Sequence, residues 1–269
     1  MMKLFKVAVI LILTAGFVFA SGDQIVLTGS TTVLPIAQAC AEAFMDINPK
    51  IDVTVRGGGS GVGIAAIIDG TCDIANSSRD IKTKEITTAK GKGVNPTDHI
   101  VAWDGIAIVI HPNLTIKGIT IERLRDIYTG KISNWKALGG PNKNIIVVSR
   151  DVSSGTFEVF KEKVLEGGSV RDDALKLASN QAVSTTISTT PFSIGYIGLG
   201  YLNNKVKAIQ VNGIDATAAS AKSGTYPIVR SLHMFTNGEA KGIAKQYIDF
   251  VLSSKGQEIV TEMGFISIK

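Results

Sequence analysis

Along this chain the apolar positions come in short blocks, and a polar or glycine-rich turn closes each one. Gln24–Thr28 (QIVLT) reads as a strand. Gly29, Ser30, Thr31 and Thr32 follow it. An apolar-periodic stretch from Pro35 to Ile47 then predicts a helix, with proline just inside its start. Ile51–Val55 (IDVTV) alternates as a strand does, Arg56 leads into the run Gly57 to Gly61 with Ser60 inside it, and Val62–Ile68 returns to helical spacing. Cys72–Ala75 predicts a third strand, closed by Asn76, Ser77, Ser78 and Arg79. A strand that runs into a polar turn and then a helix, repeated in succession, is the rhythm of a parallel α/β sheet. In such sheets ligands bind at the carboxyl ends of the strands.

Ile100–Ile110 (IVAWDGIAIVI) is too long and too apolar for an edge strand, and it predicts a buried strand crossing between two lobes. The rhythm then resumes: helix Ile121–Tyr128, strand Ile145–Ser149, a turn from Arg150 to Thr156, and helix Phe157–Leu165. Near the end Ile228–Phe235 predicts a returning strand, followed by helices Gly242–Leu252 and Gly256–Met263. The expected fold is therefore α/β, with mostly parallel sheets in two lobes and two crossings between them. Residues 21–104 plus 229–269 form one expected lobe and 105–228 the other, each within the usual size of a domain.

The first residues stand apart. Lys3 and Lys6 precede the apolar run Val7–Ala20, and Ser21, Gly22 and Asp23 follow. A basic start, a short apolar stretch and small residues at its end describe a secretory signal, residues 1–20, cleaved after Ala20. The run is shorter than the ~20 apolar residues that span a bilayer. No cysteine lies near the cut to carry a lipid anchor. The expected location is the periplasm or cell-envelope space.

Composition narrows the function. The chain is 45% hydrophobic and 19% charged, with mean hydropathy +0.24, which excludes intrinsic disorder. Its net charge of +5 includes the two lysines of the signal, and no basic run interleaved with aromatics offers a platform for nucleic acid. Cys40 and Cys72 are compatible with a disulfide in an oxidising compartment or with two buried thiols, because spacing alone does not decide. His99, His111 and His233 have no His, Glu or Cys at ligand spacing, so no metal or other cofactor is expected. The glycine run lacks the Gly-Lys-Ser/Thr ending of a phosphate-binding loop. It also misses the nucleophile-elbow pattern, because Val62 stands where the last glycine belongs. No catalytic residue is expected.

A different chemistry is well represented. The clusters Ser30/Thr31/Thr32, Ser60/Gly61, Ser77/Ser78 and Ser154/Gly155/Thr156 each place hydroxyls and free backbone N–H groups where a strand hands over to a helix. Helix N-termini present unpaired N–H groups and a positive dipole end, and so hold oxyanions. A hydroxyl that caps its own helix is the simpler reading of any one cluster. Clusters at equivalent places in two lobes, with Arg150 able to make a bidentate contact, predict a cage for a tetrahedral anion.

The segments GSTTVLPIAQ, RGGGSGVGIAAIIDGTCDIANSSRDIK, SRDVSSGTFEVF and FVLSSKGQEIV, with the ending MGFISI, resemble the periplasmic phosphate-binding protein of the ABC phosphate importer. The resemblance runs in order along essentially the whole chain. It implies a class II Venus-flytrap protein that closes on inorganic phosphate, meets transmembrane permease subunits, and acts as a monomer without enzymatic activity. The phosphate contacts it implies are Thr31 or Thr32, Ser60, Ser78, Arg150, Ser154, Gly155 and Thr156, and the same turns and the crossing strand add Ser30, Gly61, Arg79 and Asp104 as site candidates. Better-known members of that family carry an aspartate where this chain has Ser78, and that carboxylate accepts the phosphate's proton. Another acceptor is therefore required here: Asp104 is the first candidate, with Asp80 and Asp151 as alternatives. Alternative functions are binding of sulfate, molybdate or tungstate, an exported hydrolase using Ser60, and a sensory or adhesive protein that has lost its ligand.

Overall fold

The computed structural model describes residues 23–269, and the signal expected over residues 1–20 lies outside them. Strand β1 (Asp23–Gly29) leads through a tight turn into helix α1 (Leu34–Ile47), then β2 (Ile51–Gly57), α2 (Ser60–Ile68), β3 (Ile74–Ser77) and α3 (Thr83–Gly91). The long strand β4 (Pro96–Ile110) carries the chain to β5 (Gly118–Ile119), α4 (Ile121–Tyr128), β6 (Ile146–Arg150) and α5 (Gly155–Lys163). Next come β7 (Leu175–Leu177), α6 (Asn180–Thr189), β8 (Ser193–Gly198), β9 (Lys207–Val211) and α7 (Ala218–Lys222). Strand β10 (Val229–Asn237) returns the chain, and α8 (Gly242–Leu252) and α9 (Ser254–Glu262) complete it.

The strands connect in the order β2-β1-β3-β10-β4-β8-β6-β7, with β9 beside β4 and β5 beside β9. β1 runs parallel to β2 and β3, and β6 runs parallel to β7 and β8. Every antiparallel pairing involves β4 or β10. β4 pairs with β10 from Pro96 to Gly105, then with β8 from Ile106 onward. One unbroken strand thus serves two sheets and changes partners between Gly105 and Ile106. Its first residues, Pro96–His99, were absent from the expected strand because they are polar, yet they pair fully with Thr236, Asn237 and their neighbours.

Two large cores flank the crossing. One is built from residues between Ile106 and Ile228, with the Phe160 and Tyr196 rings stacked at 4.1 Å and Trp135 fully buried. The other joins Ile25, Leu27, Phe44 and Val101 to Leu232, Tyr247 and Phe265. Buried hydroxyls are satisfied in both: Tyr128 donates to the Val148 carbonyl at 3.0 Å, and Tyr247 donates to that of Ala37 at 2.8 Å. Near the crossing, Ile266 packs with Ala107, Leu199 and Ala221, and its backbone bridges to Trp103.

Helix starts follow local capping. Thr120, Ser154, Ser179 and Ser253 each accept a hydrogen bond from the backbone of the helix they precede, which satisfies a donor that has no intrahelical partner. Among the described residues no helix is long and apolar enough to cross a membrane.

Cys40 and Cys72 are free thiols in different hydrophobic clusters. Burial pushes each of them up to about 12. Thiolate, the reactive species, is therefore scarce at neutral pH. We expect neither cysteine to react with a thiol reagent in the native protein and both to react in guanidinium. A native intact mass two hydrogens below the reduced value would reveal a disulfide instead.

Candidate functional site

The site is assembled where the carboxyl ends of β1, β2, β3 and β6 face one another. Past β1, Ser30 accepts hydrogen bonds from the backbone of Thr32 (3.1 Å) and Val33 (3.4 Å), and this turns Thr31 and Thr32 inward ahead of α1. Past β2, Gly59 adopts φ +101°, and a β-carbon there would lie 2.6 Å from the Ser153 hydroxyl. Glycine is required for both reasons. This close approach lets the Gly61 N–H donate to the Ser153 carbonyl (2.9 Å) and the Ser153 hydroxyl donate to the Gly58 carbonyl (3.1 Å). Gly155, the first residue of α5, packs so closely on Ser60 and Ser78 that any side chain would collide with both hydroxyls.

Thr31, Thr32, Ser60, Ser78, Arg150, Ser154 and Thr156 are all buried, and the structure gathers them into one cluster. Arg150 lies at the end of β6. Its Nε donates to the Leu177 carbonyl (2.9 Å), and Nη2 donates to the Ala178 carbonyl (2.9 Å) and to Thr31 Oγ1 (3.3 Å). Its Nη1 is buried without a partner. Thr32 and Thr156 hydroxyls meet at 3.1 Å, and the Ser60 and Ser78 hydroxyls meet at 3.3 Å. Ser154 caps α5 by accepting from Phe157 N–H. The first N–H groups of α2, α5 and α6 have no acceptors within their own helices.

Four expected contacts have their polar groups committed elsewhere. Ser30 caps its own turn, and the Gly61 N–H meets Ser153. Arg79 uses Nη1 and Nη2 for two short bonds to Glu85 in the first turn of α3, a fork-shaped pairing, and only its Nε is left without a partner. Asp104 is fully buried, but its Oδ2 accepts from Arg230 Nε (3.0 Å) and Nη2 (2.7 Å), and its Oδ1 accepts from the Leu199 N–H (2.9 Å). Of the alternative acceptors, Asp80 is largely exposed beside His233, and Asp151 caps the turn at Ser153. Ser78 also departs from expectation. β3 ends at Ser77 and α3 starts only at Thr83, so Ser78 offers a side chain but no helix terminus.

The α6 terminus takes that place, with a residue that the sequence reading missed. Asn180 donates through Nδ2 to Thr32 Oγ1 (2.9 Å) and Thr31 Oγ1 (3.3 Å), and its Oδ1 accepts from the Gly198 N–H (3.2 Å). Arg230 was also missed. It pairs with Asp104 in register across β10 and β4, and extends Nη1 to Thr156 Oγ1 (2.9 Å) and Ser78 Oγ (3.3 Å) and Nη2 to Thr32 Oγ1 (3.2 Å). A signal was available: Arg230 shares strand parity with buried Leu232, and a charge on the core face of a strand needs a partner. Burial raises the Asp104 carboxyl and lowers the Arg230 guanidinium, and their mutual attraction opposes both shifts. Burial likewise lowers Arg150. Two guanidiniums against one carboxylate leave the cluster one positive charge in excess, and that charge is out of water.

Comparisons with known proteins identify the relatives of this fold. A family model described as the PBP superfamily domain matches residues 20–255. The phosphate-binding protein PstS of Bacillus subtilis is 38% identical over 251 residues, 93% of this chain and 82% of that protein. A substrate-binding protein from Clostridium perfringens, solved with bound phosphate, superposes with TM-score 0.86 at 33% identity, covering 92% of this chain and 100% of that one. An ABC-type phosphate transport receptor from Vibrio cholerae superposes with TM-score 0.74 at 31% identity, covering 90% and 99%.

Asp104→Ala leaves Arg230 buried without its counter-ion, and breaking a buried pair from one side costs about 3–5 kcal/mol. Urea unfolding should register that loss. The double variant Asp104→Ala/Arg230→Met should recover a large part of it.

Proposed function

The chain belongs to the PstS family of phosphate-binding proteins, and from that membership we propose that it captures inorganic phosphate between two lobes and passes it to the transmembrane permease subunits of an ABC importer. It binds and releases its ligand unchanged, as a transport component and not an enzyme. Residues 21–104 with 229–269 form one lobe and 105–228 the other, a division supported by the separate make-up of the two large cores. Residues 1–20 are the export signal, and the mature chain works as a monomer in the periplasm or cell-envelope space.

The observation that carries this reading is the free Nη1 of Arg150, a charged donor buried without a partner amid helix termini and hydroxyls. An orphaned buried donor costs free energy comparable to its desolvation, and an anion placed there removes the cost. We assign the direct phosphate contacts to Arg150 Nη1, the hydroxyls of Thr31, Ser60, Ser78 and Thr156, and the backbone N–H groups that open α5, with Thr32 and Ser154 holding them in place. Ser30, Gly61, Arg79 and Asp104 shape the cage from behind. These donors replace the water that phosphate sheds on entry, and the positive excess of the cluster offsets its charge.

Closure follows from the bonds that link residues of the two lobes. Thr32 meets Thr156, Asn180 meets Thr31, Gly61 meets Ser153, and Lys82 forms an ion pair with Glu158 at 2.9 Å. Phosphate touches both lobes at once and so favours the closed arrangement over the open one. Release requires the permease to favour the open form.

Titration calorimetry on anion-stripped protein should give one phosphate per chain, with sulfate, molybdate and tungstate bound far more weakly. Equal binding of those anions would reassign the ligand. Arg150→Ala should weaken phosphate by about ten- to hundredfold, the range for a charge-assisted hydrogen bond. Gly59→Ala should also lower the affinity, because the added methyl group props the lobes apart at Ser153, and it should lower the melting temperature as well, because φ +101° strains any residue with a β-carbon.

A further inference from the structure

The hydrogen bonds of the site fix which of its hydroxyls can accept a proton from a ligand. A hydroxyl has one hydrogen and two lone pairs, and a guanidinium or a side-chain amide nitrogen only donates. Thr31 Oγ1 receives Arg150 Nη2 and Asn180 Nδ2, so both lone pairs are filled and its hydrogen alone is free. The orientation of Asn180 is settled by the Gly198 N–H on its oxygen. Thr32 Oγ1 receives Asn180 and Arg230, so it must donate to Thr156. Thr156 Oγ1 then receives both Thr32 and Arg230 Nη1, and it too keeps only a hydrogen. Arg230 has all five N–H groups engaged. Asp104 faces Arg230 and Leu199 and does not present an oxygen to the hydroxyls. Every one of these groups meets a ligand as a donor or not at all.

Ser60 and Ser78 differ. Ser60 Oγ receives the Ser78 N–H at 2.9 Å, and Ser78 Oγ receives Arg230 Nη1 at 3.3 Å, so each has one lone pair left. The 3.3 Å bond between them runs in either direction. If Ser60 donates to Ser78, Ser78 offers a hydrogen outward and Ser60 an open lone pair. If Ser78 donates to Ser60, the roles exchange. In both states the pair shows a ligand one donor and one acceptor.

Resting on the phosphate reading above, we propose that the Ser60/Ser78 pair is the specificity element of the site: it accepts the proton of the monohydrogen phosphate dianion and rejects sulfate, which has no proton to give. The acceptor is neutral and belongs to the pair, so either serine alone still supplies one. The charged groups around it are Arg230 on β10, Asp104 on β4 behind that arginine, and Arg150 on β6.

The test is competition calorimetry of phosphate against sulfate on variants that remain folded by circular dichroism. The single variants Ser60→Ala and Ser78→Ala should keep most of the preference for phosphate. The double variant Ser60→Ala/Ser78→Ala should lose about ten- to hundredfold of it, the penalty for a buried ligand proton without an acceptor. Thr31→Val, which takes from the ligand a donor and no open lone pair, should weaken both anions alike and leave their ratio unchanged. A double variant that still discriminates as the wild type does overturns the proposal. If the double variant does not fold, Ser78→Asp decides, because a permanent acceptor should raise the preference by about tenfold or more. An unchanged ratio there overturns it equally. Failure of the wild-type protein to bind phosphate at all would instead remove the functional reading on which the proposal rests.

Discussion

A guanidinium taken out of water must place every one of its N–H groups, and Arg230 meets that demand beside the residue where β4 changes sheets. Its partner Asp104 sits directly opposite on the neighbouring strand, in register, so the ion pair is also a cross-strand pair. The three N–H bonds that do not go to Asp104 run to Thr32, Ser78 and Thr156. The first two residues come from turns after β1 and β3, and the third from the start of α5. Remove the pair and three separate segments lose their common reference. Such pairs add little net stability compared with apolar residues of the same shape, but they make a wrong geometry costly. Here the gain is in placement.

The proposed site therefore works through dipoles and hydroxyls held by charges, with Arg150 Nη1 the unpartnered donor among them. Helix termini contribute N–H groups that no turn of the helix can satisfy. The glycines at 59 and 155 are part of the same design. Each lets backbone or hydroxyl approach where a β-carbon would keep the segments apart.

Much of this was legible in the sequence, and the omissions have physical causes. The strand–turn–helix units of the first lobe and the helices at 121–128 and 242–252 follow from apolar spacing, and the long crossing strand from its unbroken apolarity, since Asp104–Ile110 is buried on both faces. The segment from 175 to 211 was not read. Helix α6 (NQAVSTTIST) is rich in serine and threonine, poor helix formers that packing overrides, and β8 (SIGYIG) carries two glycines that weaken a strand signal. Asn180 was lost with that segment. The hydroxyl clusters and Arg150 were visible because each marks a turn after a recognisable strand. Arg230 was overlooked because it lies inside an apolar strand, where only its partner on β4 gives it meaning. Sequence reading finds groups by their local pattern, whereas Arg230, Asp104 and Asn180 act through partners more than ninety residues away.

The unbroken course of β4 has a mechanical consequence. Its first ten residues are laced to β10 and its last five to β8, with no loop between them. A laced ribbon resists sliding, since any slip breaks a whole row of bonds at once, but it yields readily to torsion at the residue where the lacing changes sides. The lobes are thus confined to turning about a spine near Gly105, as the covers of a book do. Asp104 and Arg230 lie beside that spine, where a given rotation displaces atoms least, while the turns carrying Gly59 and Ser153 belong to different lobes, so their contact is one that a rotation opens. On the proposed reading, the ion pair beside the spine would stay nearly still as the lobes turn, and most of the travel would fall on the Gly61–Ser153 contact.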